Sequence, residues 1–141
     1  MTTDIKDSEL NTELQELYLI GKHWLSDLDY FDADLKILHK LFAKELSTLI
    51  RREGYENIAG IILNIGDIEG RKDNIKTGVL KFMQNLEPLI VNSDEKINLD
   101  LIESHALLER EIASLLHAFQ STRNAVHVLI ANVNKTVDQL V

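Results

Sequence analysis

Residues 10–49 read LNTELQELYLIGKHWLSDLDYFDADLKILHKLFAKELSTL, and their spacing decides the fold. Alternate steps of four and three from Leu10 reach Leu14, Leu17, Gly21, Trp24, Leu28, Phe31, Leu35, Leu38, Phe42, Glu45 and Leu49, a stripe broken only by Gly21 and Glu45. Such alternation keeps one apolar seam facing a partner helix over many turns, whereas a strand, with period two, would scatter these residues over both faces. The flanks agree with a helix from about 8 to 52. Asp7 or Ser8 suits the N-cap, and Glu9, Glu13 and Glu16 lie where the helix dipole favours acids. Arg51 and Arg52 lie where it favours bases, and Gly54 suits a left-handed C-terminal residue.

The same count recurs on Ile58, Ile61, Ile65, Ile68, Lys72, Ile75, Val79, Phe82 and Leu86, with Ile62 and Met83 widening the stripe. This predicts a second helix over about 56–90. Gly60, Gly66, Gly70 and Gly78 each cost about 1 kcal/mol against Ala in a helix interior, so a kink is expected near Gly66–Gly70. Pro88 is expected to end or bend this helix, and Asn92-Ser93 before Asp94 and Glu95 reads as a turn into a capped start. A third series, Leu101, His105, Leu108, Ile112, Leu115, Phe119, Thr122, Val126, Leu129, Val133, Thr136 and Leu140, predicts a helix over about 94–140. Short connections make consecutive helices antiparallel neighbours. The expected architecture is a single all-α domain over 1–141, an elongated up-down-up three-helix antiparallel bundle with coiled-coil-like heptads.

The predicted lengths do not match. About 33 residues in helix 2 span roughly 50 Å, while about 45 in helices 1 and 3 span roughly 67 Å. An overhang containing Leu10, Leu14, Leu17, Tyr18, Leu19 and Ile20 is too apolar to leave in water. Either the chain bends near Gly21 and residues 8–20 fold back as a fourth helix, or the overhang pairs with a second subunit as a homodimer. Leu10, Leu14, Leu17 and Tyr18 are therefore candidate interaction residues. Tyr30 and Ile37 share an outer position of helix 1 and Leu41 lies one turn on, which makes a second candidate contact stripe.

Composition narrows the function. The 141 residues carry 15 Lys+Arg against 23 Asp+Glu, a net charge of −8, with 45% hydrophobic residues and no Cys. A chain of this size buries enough surface to fold without staples. Without Cys there is no thiol nucleophile, disulfide or thiolate metal site. Acidity argues against nucleic acid, because phosphate binding needs clustered Lys/Arg, and gives no attraction to anionic lipid. No apolar stretch approaches the ~20 residues of a membrane span, and the start lacks a basic region followed by an apolar one, so a cytoplasmic protein is expected. Charge is also polarised along helix 1. Residues 1–35 hold nine acids and two bases, and residues 36–53 hold five bases and two acids. Dipole complementation accounts for this, with a docking site for a basic protein partner on the acidic half as the alternative.

Five histidines are the first candidates for metal or acid/base work. Only His105 occupies a core position; His39 flanks the seam, while His23, His117 and His127 fall on outer positions. The Glu-x-x-His pairs of carboxylate-bridged di-metal bundles are absent. His105 and Glu109 at i,i+4, with His39, form the alternative metal set, an echo of hemerythrin-like or ferritin-like architecture. The opposing reading makes His105 a core imidazole hydrogen-bonded to a carboxylate or to a hydroxyl such as Thr122. Asp27, Asp29, Asp32 and Asp34 lack the Gly turn of a calcium loop and should radiate around a helix. Neither a nucleophile elbow nor a phosphate loop is present, so no catalytic residue and no cofactor is expected.

Trp24-Leu-Ser-Asp-Leu-Asp-Tyr-Phe-Asp-Ala-Asp-Leu35, with Glu109-Arg-Glu-Ile112 and Phe119-Gln-Ser-Thr-Arg123, resembles a group of small uncharacterised bacterial helical-bundle proteins that share a Trp-Leu-Ser-Asp/Glu-Leu-Asp-aromatic motif. The likeness covers helices 1 and 3. It implies a cytosolic helical bundle and transfers no catalytic residue. The expectation is thus a non-enzymatic interaction or structural module that self-associates.

Overall fold

The computed structural model describes the backbone of residues 2–91 and 99–140 and the side chains of 12–90 and 99–133. Over these residues the chain is all-helical, with three helices and no strand: α1 Thr2–Glu53, α2 Tyr55–Val91 and α3 Leu99–Leu140. The turn after α1 is the one the sequence placed. Gly54 has φ +87°, and its N–H donates to Ile50 O at 2.9 Å. Asn57 Nδ2 closes the turn by donating to Glu53 O at 2.7 Å. A side chain at Gly54 would be strained, because a Cβ disfavours the left-handed region.

Several boundaries differ from expectation. α1 starts at Thr2 rather than near residue 8, so Asp7 and Ser8 lie inside the helix. No Gly or Pro stands between residues 2 and 20 to stop it, and Asp4, Asp7 and Glu9 suit the positive end of the dipole. α1 is continuous through Gly21, so residues 8–20 do not fold back as a fourth helix. α2 is likewise unbroken through Gly66–Gly70, and it continues three residues past Pro88. A proline removes one backbone donor, and one missing bond near a helix end is tolerated when the neighbouring residues stay packed, as buried Leu86 and Leu89 do. The turn expected at Asn92-Ser93 and a third-helix start at 94 lie outside the described residues.

The tertiary contacts group into two compact units, each built from a segment of all three helices: Met1–Tyr30 with Asp73–Ile112, and Phe31–Lys72 with Ala113–Val141. In the first unit the helix directions follow from the contacts. Tyr18 and Leu19 meet Glu87 and Ile90, whereas Asp29 meets Lys76, so α1 and α2 run antiparallel. Trp24, Leu28, Ile75, Val79, Phe82, Leu86, Leu108 and Ile112 are buried there. The Trp24 ring lies 5.9 Å from Phe82 and 5.3 Å from His105, spacings at which aromatic rings attract beyond their area burial.

Gly21 has a packing role in this unit. A Cβ built on it would lie 2.6 Å from Met83 Cγ, so its missing side chain is what lets Met83 of α2 seat against α1. Leu14 is 1% exposed and Leu17 half-buried. The apolar overhang therefore does not exist at these two residues. Beside them, Tyr18 and Leu19 line a groove with Glu87 and Ile90 near the end of α2.

In the second unit Asp32 meets Lys72, while His39 meets Glu69, which again makes α1 and α2 antiparallel. Phe31 packs on Phe119 at 4.9 Å and Arg52 Nη1 donates to Asn132 O at 2.9 Å, so α1 and α3 run parallel. Leu35, Leu38, Phe42, Leu49, Ile58, Ile65, Ile68, Leu115, Phe119 and Val126 form the buried set. These are the predicted stripe positions. Ile62 departs from the pattern at 41% exposure, and the stripe of α2 is narrower at that end than expected.

Candidate functional site

The candidate surface is a groove in the second unit, between α1 and α3. On α1 the sequence Asp34-Leu-Lys-Ile-Leu-His-Lys-Leu41 places Leu38 in the seam, 3% exposed, and leaves Asp34, Ile37 and Leu41 on the flank. Ile37 is 65% exposed and Leu41 half-buried. On α3, Phe119 turns inward at 4% exposure, and Arg123 and His127 follow on the same flank at spacings of four residues. Together these seven residues line a cleft of about 160 Å³. Phe119 is its floor, held edge-on by Phe31 with the rings 68° apart. The Arg123 guanidinium sits 5.4 Å from the Phe119 ring centroid, a cation–π contact that fixes the side chain over the floor. Asp34 forms no ion pair with Arg123 among the described residues, so the two lips of the groove carry opposite charges held apart.

The first candidate stripe fares differently. Tyr18 and Leu19 line an apolar groove in the first unit with Gln15, Glu87 and Ile90, and Lys22 Nζ lies 5.3 Å from the Tyr18 ring. Within the chain Leu14 is buried and Leu17 half-buried. The side chain of Leu10 lies outside the described residues. Of the second stripe, Tyr30 is 74% exposed in the first unit, and Ile37 and Leu41 line the groove in the second. Sequence reasoning missed the α3 half of that groove. Arg123 and His127 follow Leu116 at seven and eleven residues, a flank spacing that was legible, but which helix α3 would flank was not.

Among the described residues no group of three or more His, Asp or Glu is placed to hold a metal ion. His105 is half-buried against the rings of Trp24 and Phe82 and makes no hydrogen bond among the described residues, so the expected bond to Thr122 or to an acid is absent. The imidazole is tilted against both rings, by 33° to Trp24 and 43° to Phe82. Glu109 is exposed in the same unit. His39, in the second unit, instead pairs with Glu69 across a 3.4 Å gap, at the mouth of a groove floored by Phe42 and Ile65. His23, His117 and His127 are exposed, as their outer positions implied.

Asp27, Asp29, Asp32 and Asp34 radiate around α1 rather than converge. Asp29 faces Lys76 at 3.5 Å in the first unit. In the second, Asp32 accepts from Lys72 Nζ at 2.5 Å and from Lys36 at 3.0 Å. The hydrogen bond from Lys72, then that from Lys36, holds the Asp32 carboxyl below the ordinary carboxylate range. Lys72 thereby explains the polar residue in the apolar stripe of α2: its side chain is 14% exposed and its charge is carried to α1.

Among the described residues no helix is long and apolar enough to cross a membrane. Comparison with protein-family models, with curated proteins and with solved structures finds no match to this chain.

Proposed function

We propose that this chain is a non-enzymatic helical-bundle interaction module of the cytoplasm that self-associates as a homodimer. The observation that carries the reading is Ile37, a large aliphatic side chain left 65% exposed beside a formed groove, while the neighbouring seam residues Leu35 and Leu38 are 1% and 3% exposed. Isolated apolar residues on a surface are ordinary, but one that rims a groove with a buried aromatic floor is the composition of a contact surface. The continuous 3-4 stripes of α1 and α3 support a coiled-coil-like packing that a further helix pair can extend. Light scattering coupled to size exclusion tests the proposal: a mass of twice the 16.1 kDa chain is expected. Elemental analysis of the same peak tests the non-enzymatic part. A stoichiometric metal would overturn it in favour of a site around His105, Glu109 or His39.

A further inference from the structure

We propose that the α1/α3 groove of the second unit is the seat of the second copy, with a two-fold axis running along the groove so that α1 of each copy lies against α3 of the other. This rests on the self-association proposed above and adds the surface, the symmetry and the pairing residues. The argument is one of charge. Each copy carries a net charge of −8, so two copies repel one another unless the surface between them is locally neutral. This groove is. Its α1 lip carries Asp34 and its α3 lip carries Arg123, neither paired with the other within the chain.

A basic partner would need acids on both lips, and an acidic partner would need bases on both. A patch with one of each across an apolar floor is complementary to itself, the requirement of an isologous interface. A two-fold axis along the groove sets the acidic lip of each copy on the basic lip of the other, placing Asp34 opposite the partner subunit's Arg123 twice over. The opposite choice, an axis across the groove, would set Asp34 against its own equivalent and is disfavoured by like charge. Beside the charges, Ile37 and Leu41 meet the partner's α3 flank between Arg123 and His127. Arg123 is suited to the role because its stacking on Phe119 holds the guanidinium in place before association, which reduces the side-chain entropy lost on pairing.

Sedimentation equilibrium on charge-reversed variants decides the matter, with circular dichroism to verify that each variant folds. Asp34→Arg and Arg123→Asp should each weaken the dimer about tenfold or more, since each breaks two symmetry-related pairs, and the double reversal Asp34→Arg/Arg123→Asp should recover the wild-type dissociation constant to within about threefold. Ile37→Ser, at an exposed position that folding does not use, should weaken the dimer as well. If the wild type is a monomer at about 100 μM, self-association itself is wrong. If it dimerises but the single reversals and Ile37→Ser leave the constant unchanged, self-association stands and this groove is refuted. Single reversals that weaken the dimer without rescue in the double variant would overturn the two-fold arrangement.

Discussion

Glycine-to-alanine substitutions along α1 and α2 provide a test in which the same change has opposite signs at different positions. In a helix interior Ala is favoured over Gly by about 1 kcal/mol, because Gly loses more backbone entropy on folding. At Gly60, Gly66 and Gly70 an added Cβ meets nothing within 4 Å, so this gain should be realised nearly in full. Each substitution should raise stability by about 0.5–1 kcal/mol, and the three together by about 1.5–3 kcal/mol if they add. At Gly21 the same methyl would lie 2.6 Å from Met83 Cγ and 3.0 Å from Met83 Sδ. Met83 is 8% exposed, and the crowded atom is in the middle of its side chain rather than at the mobile end, so the clash cannot be relieved by a tip rotation alone. Overpacking of this kind costs about 1–3 kcal/mol, which outweighs the propensity gain and leaves Gly21→Ala neutral to about 2 kcal/mol destabilising. Urea unfolding followed by circular dichroism at 222 nm reads both signs, with constant m values required for the comparison. A Gly21→Ala variant as stabilised as Gly66→Ala would refute the close approach of α2 at that position. A destabilised Gly66→Ala would refute the continuous α2 helix.

Two further outcomes are expected. Asp32→Asn should cost about 1 kcal/mol at neutral pH, because it removes the acceptor of Lys72 and Lys36. The folded carboxyl titrates below its unfolded value, so its contribution is present above pH ~4 and lost as pH falls through the lower folded value; the gap between wild type and variant should close on acidification, and a gap that persists at pH 2 would rule out this origin. His105→Leu should change stability by less than about 1 kcal/mol, since the imidazole contributes ring contacts to Trp24 and Phe82 rather than a buried hydrogen bond. Thermal melts would check this, a loss above about 2 kcal/mol indicating a polar partner.

The periodicity of the chain determined the three helices and their buried faces. Leu28, Phe31, Leu35, Leu38 and Phe42 in α1, and Leu108 through Val126 in α3, are buried where the 3-4 count put them, because a helix of this length has only one apolar stripe to hide. The Gly54 turn was legible too, since one residue type alone takes that conformation cheaply. The polar exceptions were not. Gly21 read as a bend and is a close-packing site, and Lys72 read as a gap in the stripe and is an ion-pair donor to Asp32. In both cases the meaning lies in a residue more than 35 positions away, Met83 or Asp32, and local pattern carries no information about that distance. The candidate groove divides in the same way. Ile37 and Leu41 stood out on helix 1 by themselves, whereas Arg123 and His127 became part of the surface only when tertiary packing set their flank of α3 beside that flank of α1. A helical flank shows from its own spacing that it is apolar or charged; which neighbour completes it is decided by how the three stripes pack within each unit.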